Sequence, residues 1–513
     1  MADGDTHSDD THSDNISSET TEAAPEGEGA SHDIPMPAHL RDAIAADWAP
    51  ATPMPHPARP DIAPYTAKRR GELSAAFPGS LIVLPAGALR TRANDTEYAF
   101  RASSAFTWLT GETVADAVFV MTPRGSSGGG AGHDSTLYVR EYAQPGEVAY
   151  FTSRNHGAVW VGNVPSVPDT ADVLGVDTRP LAALEHDLAP YRGGVVELLR
   201  GVDPSVDALL PGAGSERLAQ VVDELRLTKD EWELSRLRHA CESTARGFAD
   251  VARELPAVVG RTDVRGERWL EGTFWRRARL EGNDVGYTSI VGSGPHATTL
   301  HWWRNHGAVA AGGLLLADMG VETDELYTAD VTRTMPVDGT WTPEQRKVYR
   351  AVAEAQAAGI AEVRSGADFL AAHKAAMYVI AEHLHAWGIL PVTADVSCAE
   401  DPETPGAGLH RRYTLHGTSH MLGIDVHDCA AARNETYRDG TLAAGHVLTV
   451  EPGLYFQTND LSVPAELRGI GVRIEDDVVV TDGDPVNLSA MLPRDPDEVT
   501  AWMRDVQASP AAP

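Results

Sequence analysis

Four carboxylates sit inside apolar runs of this chain. Asp318 lies in GLLLADMG, Asp330 in YTADVTRTM, Glu451 directly after VLTV in VLTVEPGLY, and Glu475 in GIGVRIEDDVVV. Such segments read as strands of a packed core. Burying one unpaired ionised carboxylate costs several kcal/mol, so four together would exceed a typical net stability of roughly 5 to 15 kcal/mol. The fold must set something cationic against them or leave them at exposed strand ends. Arg333 and Arg473 can pair with two, which describes a buried ion-pair network. A pair of divalent cations would satisfy all four, with an imidazole completing the set.

The imidazole has an evident source. HGTSHMLGIDVHD, residues 416–428, holds His416, His420 and His427 within thirteen residues. The first two are four apart, as in zinc-peptidase helices, but glycine stands at 417 where such a helix carries glutamate. Gly417 and Gly423 disfavour a helix, and the alternation of Ile424 and Val426 predicts a strand.

The 513 residues are 42% hydrophobic, enough for a large core and for two or three domains. The formal charge of -32 argues against nucleic-acid and anionic-membrane surfaces, which need clustered Lys and Arg. Three cysteines far apart, without CxxC, suggest neither a disulfide framework nor a thiolate metal site. With no apolar run of spanning length and an acidic N-terminus, the expectation is a cytoplasmic protein. Residues 1–35 carry ten Asp or Glu, no Lys or Arg and the duplication DTHSDDTHSD, and are expected to be a disordered tail.

Residues 36–215 read as an α/β domain with strands at SLIVLPAG, ADAVFVM and STLYVREY. The glycine-rich GSSGGGAG at 125–132 is a long hairpin rather than a phosphate loop, because a strand follows it. A boundary falls at LPGAGSE, residues 210–216. In the second domain, 216–495, Thr228 to Glu231 and Thr342 to Gln345 read as capping boxes. Helices near 228–254 and 262–281 precede strands within 287–335; helices near 343–365 and 367–387 precede strands within 420–480. The repeated order predicts two similar α/β halves facing each other. Residues 496–513 read as a C-terminal tail.

In the contexts LADMG, ADVTRTMPV, HGTSHMLGIDVHD, TVEPGLY and RGIGVRIEDD, the set Asp318, Asp330, His420, Glu451 and Glu475 resembles the five-ligand site of the pita-bread metallopeptidases, and more narrowly aminopeptidase P and its relative prolidase. NDTEYAFRASSAFTWLTG at 94–111 is similar to the family's creatinase-like N-terminal domain. The first two aspartates are twelve apart, one more than the pattern, which places an extra residue in VETDELY. The resemblance implies an α/β fold of a creatinase-like domain plus a pita-bread domain with pseudo-twofold halves. Asp318 would bind one metal, His420 and Glu451 the other, and Asp330 and Glu475 both.

The hard, oxygen-rich donor set suits two Mn²⁺, with Co²⁺ or Zn²⁺ as substitutes. By the same resemblance Glu451 is the general base, and His301, His416 and His427 hydrogen-bond the scissile carbonyl or its oxyanion. Arg473, two residues before Glu475, orients a ligand carboxylate. The implied substrate is a peptide with proline second, cut before the proline, by a homo-oligomer, a dimer or tetramer. The alternatives are prolidase, which cuts only dipeptides, and a non-catalytic binding protein, which the retention of all five ligands disfavours. The Trp302-Trp303 pair has no assigned role.

Overall fold

The computed structural model describes residues 37–49, 54–58, 60–125, 132–214 and 216–510. The acidic segment 1–35 and nearly all of the 125–132 loop lie outside the described residues.

The N-terminal domain is built on one sheet of β1 (Leu81–Pro85), β2 (Val118–Pro123), β3 (His133–Val139), β4 (Asp177–Pro180) and β5 (Val196–Leu198), in the order β4-β3-β2-β1-β5. Strands β2 and β3 form the expected hairpin, with Pro123 opposite His133. Both faces are covered, which explains the unbroken apolar run of β1. Ile82 and Leu84 pack with Leu73 of α1 (Ala63–Ala76) and Phe106 of α2 (Ser104–Thr110), while Leu81 and Val83 pack with Leu184 and Val206 on the other side.

Past the 210–216 boundary, α3 (Glu216–Arg226) stays with this domain: its Leu218 and Val222 share a core with Phe77, and Arg217 donates to the Ala76 carbonyl at 3.1 Å.

The helix-pair-then-strands order occurs twice. Helices α4 (Glu231–Val258) and α5 (Gly266–Glu281) lead into β6 (Ile290–Ser293), β7 (Leu314–Met319) and β8 (Val331–Pro336). Helices α6 (Pro343–Ala361) and α7 (Ala371–Ala386) lead into β9 (Val447–Val450), β10 (Gly453–Tyr455), β11 (Gly471–Arg473) and β12 (Asp476–Val479). Strand β7 lies between β8 and β6, while β9 pairs with β12 and β10 with β11, all antiparallel. The halves are stitched along β8. Glu475 N–H donates to the Thr332 carbonyl at 3.1 Å, and the Thr334 hydroxyl donates to the Arg473 carbonyl at 2.9 Å. That seam sets Asp330 and Glu475, 145 residues apart in sequence, side by side.

Three expectations are corrected. The cap of α4 is Asp230 with Glu233, not Thr228 with Glu231: Lys229 N–H is taken by the Gly445 carbonyl at 2.8 Å, so the helix starts later. Residues 496–513 are not simply a tail, because α8 (Pro496–Ala508), capped by Asp495, sends Val499 and Met503 into the core of the second domain. The strand expected at Ile424 and Val426 does not form. Instead 418–422 runs beside β9, with Glu451 N–H donating to the Thr418 carbonyl at 2.8 Å and Leu422 N–H to that of Val447 at 2.9 Å.

Residues 423–428 then bend back. Asp428, paired with Lys229 at 2.9 Å and with Arg226, lies where a side chain at Gly423 would sit: an added Cβ would be 2.3 Å from its Oδ2. The turn between the two aspartates runs through Leu326, whose φ is 69°.

Candidate metal centre

A cavity of about 570 Å³ lies at the seam. Its walls include every residue expected in the site: Asp318, Asp330, His420, Glu451 and Glu475 as ligands, with His301, His416, His427 and Arg473 around them. The tightest group is Asp330, His420 and Glu475, whose ligand atoms lie within 4.8 Å of one another. Asp330 enters where β8 begins, Glu475 between β11 and β12, and Glu451 at the end of β9. Three strand ends thus aim carboxylates into one space.

Local hydrogen bonds set the orientations. His420 Nδ1 lies 3.1 Å from the Met421 carbonyl, to which it donates, so Nε2 faces the cavity, 3.2 Å from Asp330 and 3.7 Å from Glu451. A ligating imidazole is commonly fixed this way. Thr332 donates to Glu475 at 2.6 Å and accepts from Arg473 Nε at 3.2 Å. Arg473 was expected to orient a ligand carboxylate, and the one it pairs with is Asp318 of β7, at 2.5 Å, rather than the neighbouring Glu475; Tyr287 donates to the other Asp318 oxygen at 2.6 Å. Arg333 pairs with none of the four acids, although its Nη1 donates to the Glu475 carbonyl at 2.6 Å. It pairs with Asp476 at 2.7 Å, away from the cavity.

The electrostatics show an excess of negative charge. Burial pushes Glu451 up to about 8, against the pull of His420 and Arg473. Glu475 is driven well above the carboxylate range by burial and by the charges of Asp330, Glu451 and Asp318. His420 is raised to about 9: burial acts downward, but the Asp330 hydrogen bond and the Asp330 and Glu451 charges outweigh it. One guanidinium and one imidazolium do not balance four acids, so the donor set fits divalent cations.

The histidines divide by partner. His416, lowered to about 3 by burial and then by Arg473, is neutral. Its Nδ1 donates to the Gly417 carbonyl at 2.8 Å, and its Nε2 accepts from Tyr455 OH at 2.8 Å. Tyr455 in turn accepts from Arg473 at 3.0 Å. His301 and His427 line the cavity, and His427 packs edge-on against His420 at 4.4 Å.

Several supports were not foreseen. Tyr287, Thr332 and Tyr455 are unremarkable residues in sequence, and only the folded contacts single them out. Glu267, fully buried on α5, accepts from Ser293 N–H at 2.9 Å, His296 Nδ1 at 2.7 Å, Trp302 Nε1 at 2.9 Å and Gly307 N–H at 2.6 Å. Trp302 also stacks on His296, with ring centroids 3.9 Å apart. This knot holds the loop that carries His301 and Trp303 to the cavity. Trp302 is therefore an anchor, and exposed Trp303 is part of the wall.

Two α/β halves closed over a carboxylate-rich cavity agree with the model of metallopeptidase family M24, which matches residues 235–482; the model of the aminopeptidase P N-terminal domain matches residues 66–195. The chain is 50% identical over 446 residues to Xaa-Pro aminopeptidase 1 of Streptomyces coelicolor, covering 85% of this chain and 86% of that one. It is 30% identical over 466 residues to the Xaa-Pro aminopeptidase of Escherichia coli, covering 86% and 97%. The solved structure of E. coli aminopeptidase P with the inhibitor Pro-Leu matches with a TM-score of 0.74 at 29% identity, over 87% of this chain and 99% of that chain. The chain belongs to the aminopeptidase P family of metallopeptidases.

Proposed function

We propose that this protein is a dinuclear-metal aminopeptidase that releases the N-terminal residue from peptides with proline second. The observation that carries the reading is the convergence of Asp318, Asp330, His420, Glu451 and Glu475 on one cavity, in a chain whose relatives are named Xaa-Pro aminopeptidases. Those five would hold the two ions, with Asp330 and Glu475 shared between them. Four carboxylates and one imidazole favour Mn²⁺, with Co²⁺ or Zn²⁺ as substitutes. When bound, such ions supply Lewis acidity and ease the deprotonation of water near neutral pH.

The remaining chemistry belongs to the chain. Glu451 accepts the proton of the attacking water and passes it to the leaving proline nitrogen. The rings of His301 and His427 make no hydrogen bond with any described residue, so their nitrogens remain for the scissile carbonyl and its oxyanion. His416 has both nitrogens engaged and stands 3.5 Å from Glu451, so it holds Tyr455 and the base in place. Arg473 fixes Asp318. As in any amide hydrolysis, the leaving nitrogen must receive a proton, here the one that Glu451 took from the water. All three cysteines are free, in keeping with a cytoplasmic enzyme.

The test is protein stripped of metal by chelation, reloaded with Mn²⁺, Co²⁺ or Zn²⁺, and assayed on an Xaa-Pro-Xaa tripeptide and an Xaa-Pro dipeptide. Metal-restored release of the first residue from the tripeptide is expected. Cleavage of the dipeptide alone makes the enzyme a prolidase, and no activity with any ion refutes the peptidase reading.

A further inference from the structure

A second cavity, of about 720 Å³, adjoins the metal cavity and shares the wall residues His416 and Gly417 with it. Its charge runs against the rest of the molecule. The chain carries 74 Asp and Glu against 42 Lys and Arg, yet this cavity is lined by Lys374, Arg411 and Arg438, with Glu400 its single carboxylate. Glu400 is engaged by Lys374 at 2.7 Å. Arg411 and Arg438 are exposed, and neither makes an ion pair with a described residue.

The cavity is also built onto the catalytic loop. His373, in its wall, is bonded to the Thr418 hydroxyl at 2.8 Å, and the Thr418 carbonyl holds the Glu451 N–H at 2.8 Å. Burial, with His410, Arg411 and Arg438, holds the His373 imidazole below its usual range and so neutral. The free positive charge is therefore guanidinium, the group best shaped to bind a carboxylate through two parallel hydrogen bonds. Met377, Pro402 and Leu415 supply an apolar floor. An extended peptide advances about 3.3 to 3.6 Å per residue, so a chain leaving the metal cavity across the shared wall at His416 and Gly417 would set residues a few positions beyond the cut bond in this space.

We propose that this second cavity is the downstream arm of the substrate site, taking the peptide residues that follow proline and favouring a carboxylate there. The carboxylate is either an Asp or Glu side chain or the peptide's own C-terminus. The inference rests on the Xaa-Pro aminopeptidase reading and adds a preference to it.

Four tetrapeptides test it with the metal-loaded enzyme: Ala-Pro-Ala-Ala as free acid and as C-terminal amide, and Ala-Pro-Glu-Ala-amide against Ala-Pro-Gln-Ala-amide. At low salt an anionic member is expected to exceed its neutral partner by about tenfold in kcat/KM, gained in KM and shrinking as salt screens the charge. An advantage confined to the free acid identifies the C-terminal carboxylate as the ligand, and one confined to the Glu peptide identifies the side chain. In the double variant Arg411→Gln with Arg438→Gln the ratio is expected to fall to about one, while Arg411→Lys with Arg438→Lys keeps part of it. Equal kcat/KM within both pairs for the wild type, or an unchanged ratio in the Gln variant, overturns the proposal. Cleavage of none of the four refutes the enzyme reading together with this one.

Discussion

Loading this site with metal must displace protons, and the size of the effect follows from the geometry. Glu451 is pushed up to about 8 by burial, and His420 is raised to about 9 by the Asp330 hydrogen bond and the Asp330 and Glu451 charges against the effect of burial. A cation takes the first as carboxylate and the second as neutral imidazole. Both groups hold their protons below these values, so the ion competes with protons at low pH and affinity rises as pH rises. Each competing proton contributes about tenfold per pH unit. From these two groups, affinity is therefore expected to rise at least a hundredfold per unit below about pH 8 and about tenfold from 8 to 9.

Between pH 7 and 8 the gain is about 2.7 kcal/mol. Calorimetric titration of Mn²⁺ into the stripped protein, in two buffers of different ionisation enthalpy, reads both the affinity and the protons released. At least two protons are expected at pH 7, from Glu451 and His420, and Glu475, also driven upward, adds to that count. An affinity that changes less than threefold from pH 7 to 8, or binding without proton release, refutes the argument.

Three substitutions probe other parts of the structure. Glu451→Gln is expected to lower kcat on a Pro-second tripeptide by about 10² to 10⁴, and retention of wild-type kcat would remove Glu451 as proton acceptor. In Glu267→Gln the new amide nitrogen faces two of the four N–H donors, which should cost about 2 to 5 kcal/mol by urea denaturation and raise KM through the loop of His301 and Trp303. Unchanged stability would contradict the anchoring role.

Asp428→Asn breaks a buried pair with Arg226 and Lys229 and should cost about 3 to 5 kcal/mol at pH 7. Burial acts to raise this carboxyl, but the two cations hold it far below the ordinary 3.8. A depressed native pKa stabilises the fold above the unfolded-state value, so the advantage over Asn should be complete near neutrality and shrink as pH falls below about 4. Urea midpoints of both proteins at pH 7 and pH 3 check this, and a constant difference between them would contradict it.

The five candidate ligands were legible because a carboxylate inside an apolar strand is expensive and implies a partner. Asp318, Asp330, Glu451 and Glu475 stand out on that ground alone, and His420 through the motifs around it. The doubled helix-pair-then-strands order was legible too, since periodicity and caps such as Thr342 with Gln345 are local properties. What the sequence left open depends on groups far apart in the chain. Arg473 points to Asp318, 155 residues away, because β11 lies beside the seam with β8 and not because Glu475 is two residues on. Tyr455, Thr332 and Glu267 are ordinary side chains until the fold sets them against His416, Glu475 and Trp302.

HGTSHMLGIDVHD divides the same way. Its glycines already disfavoured a helix, but extension at 418–422 and the bend at 423–428 were decided by β9 on one side and by Lys229 and Arg226 on the other. Chemical identity and short-range periodicity are written in the chain. Partner, orientation and charge balance arise only where distant segments meet.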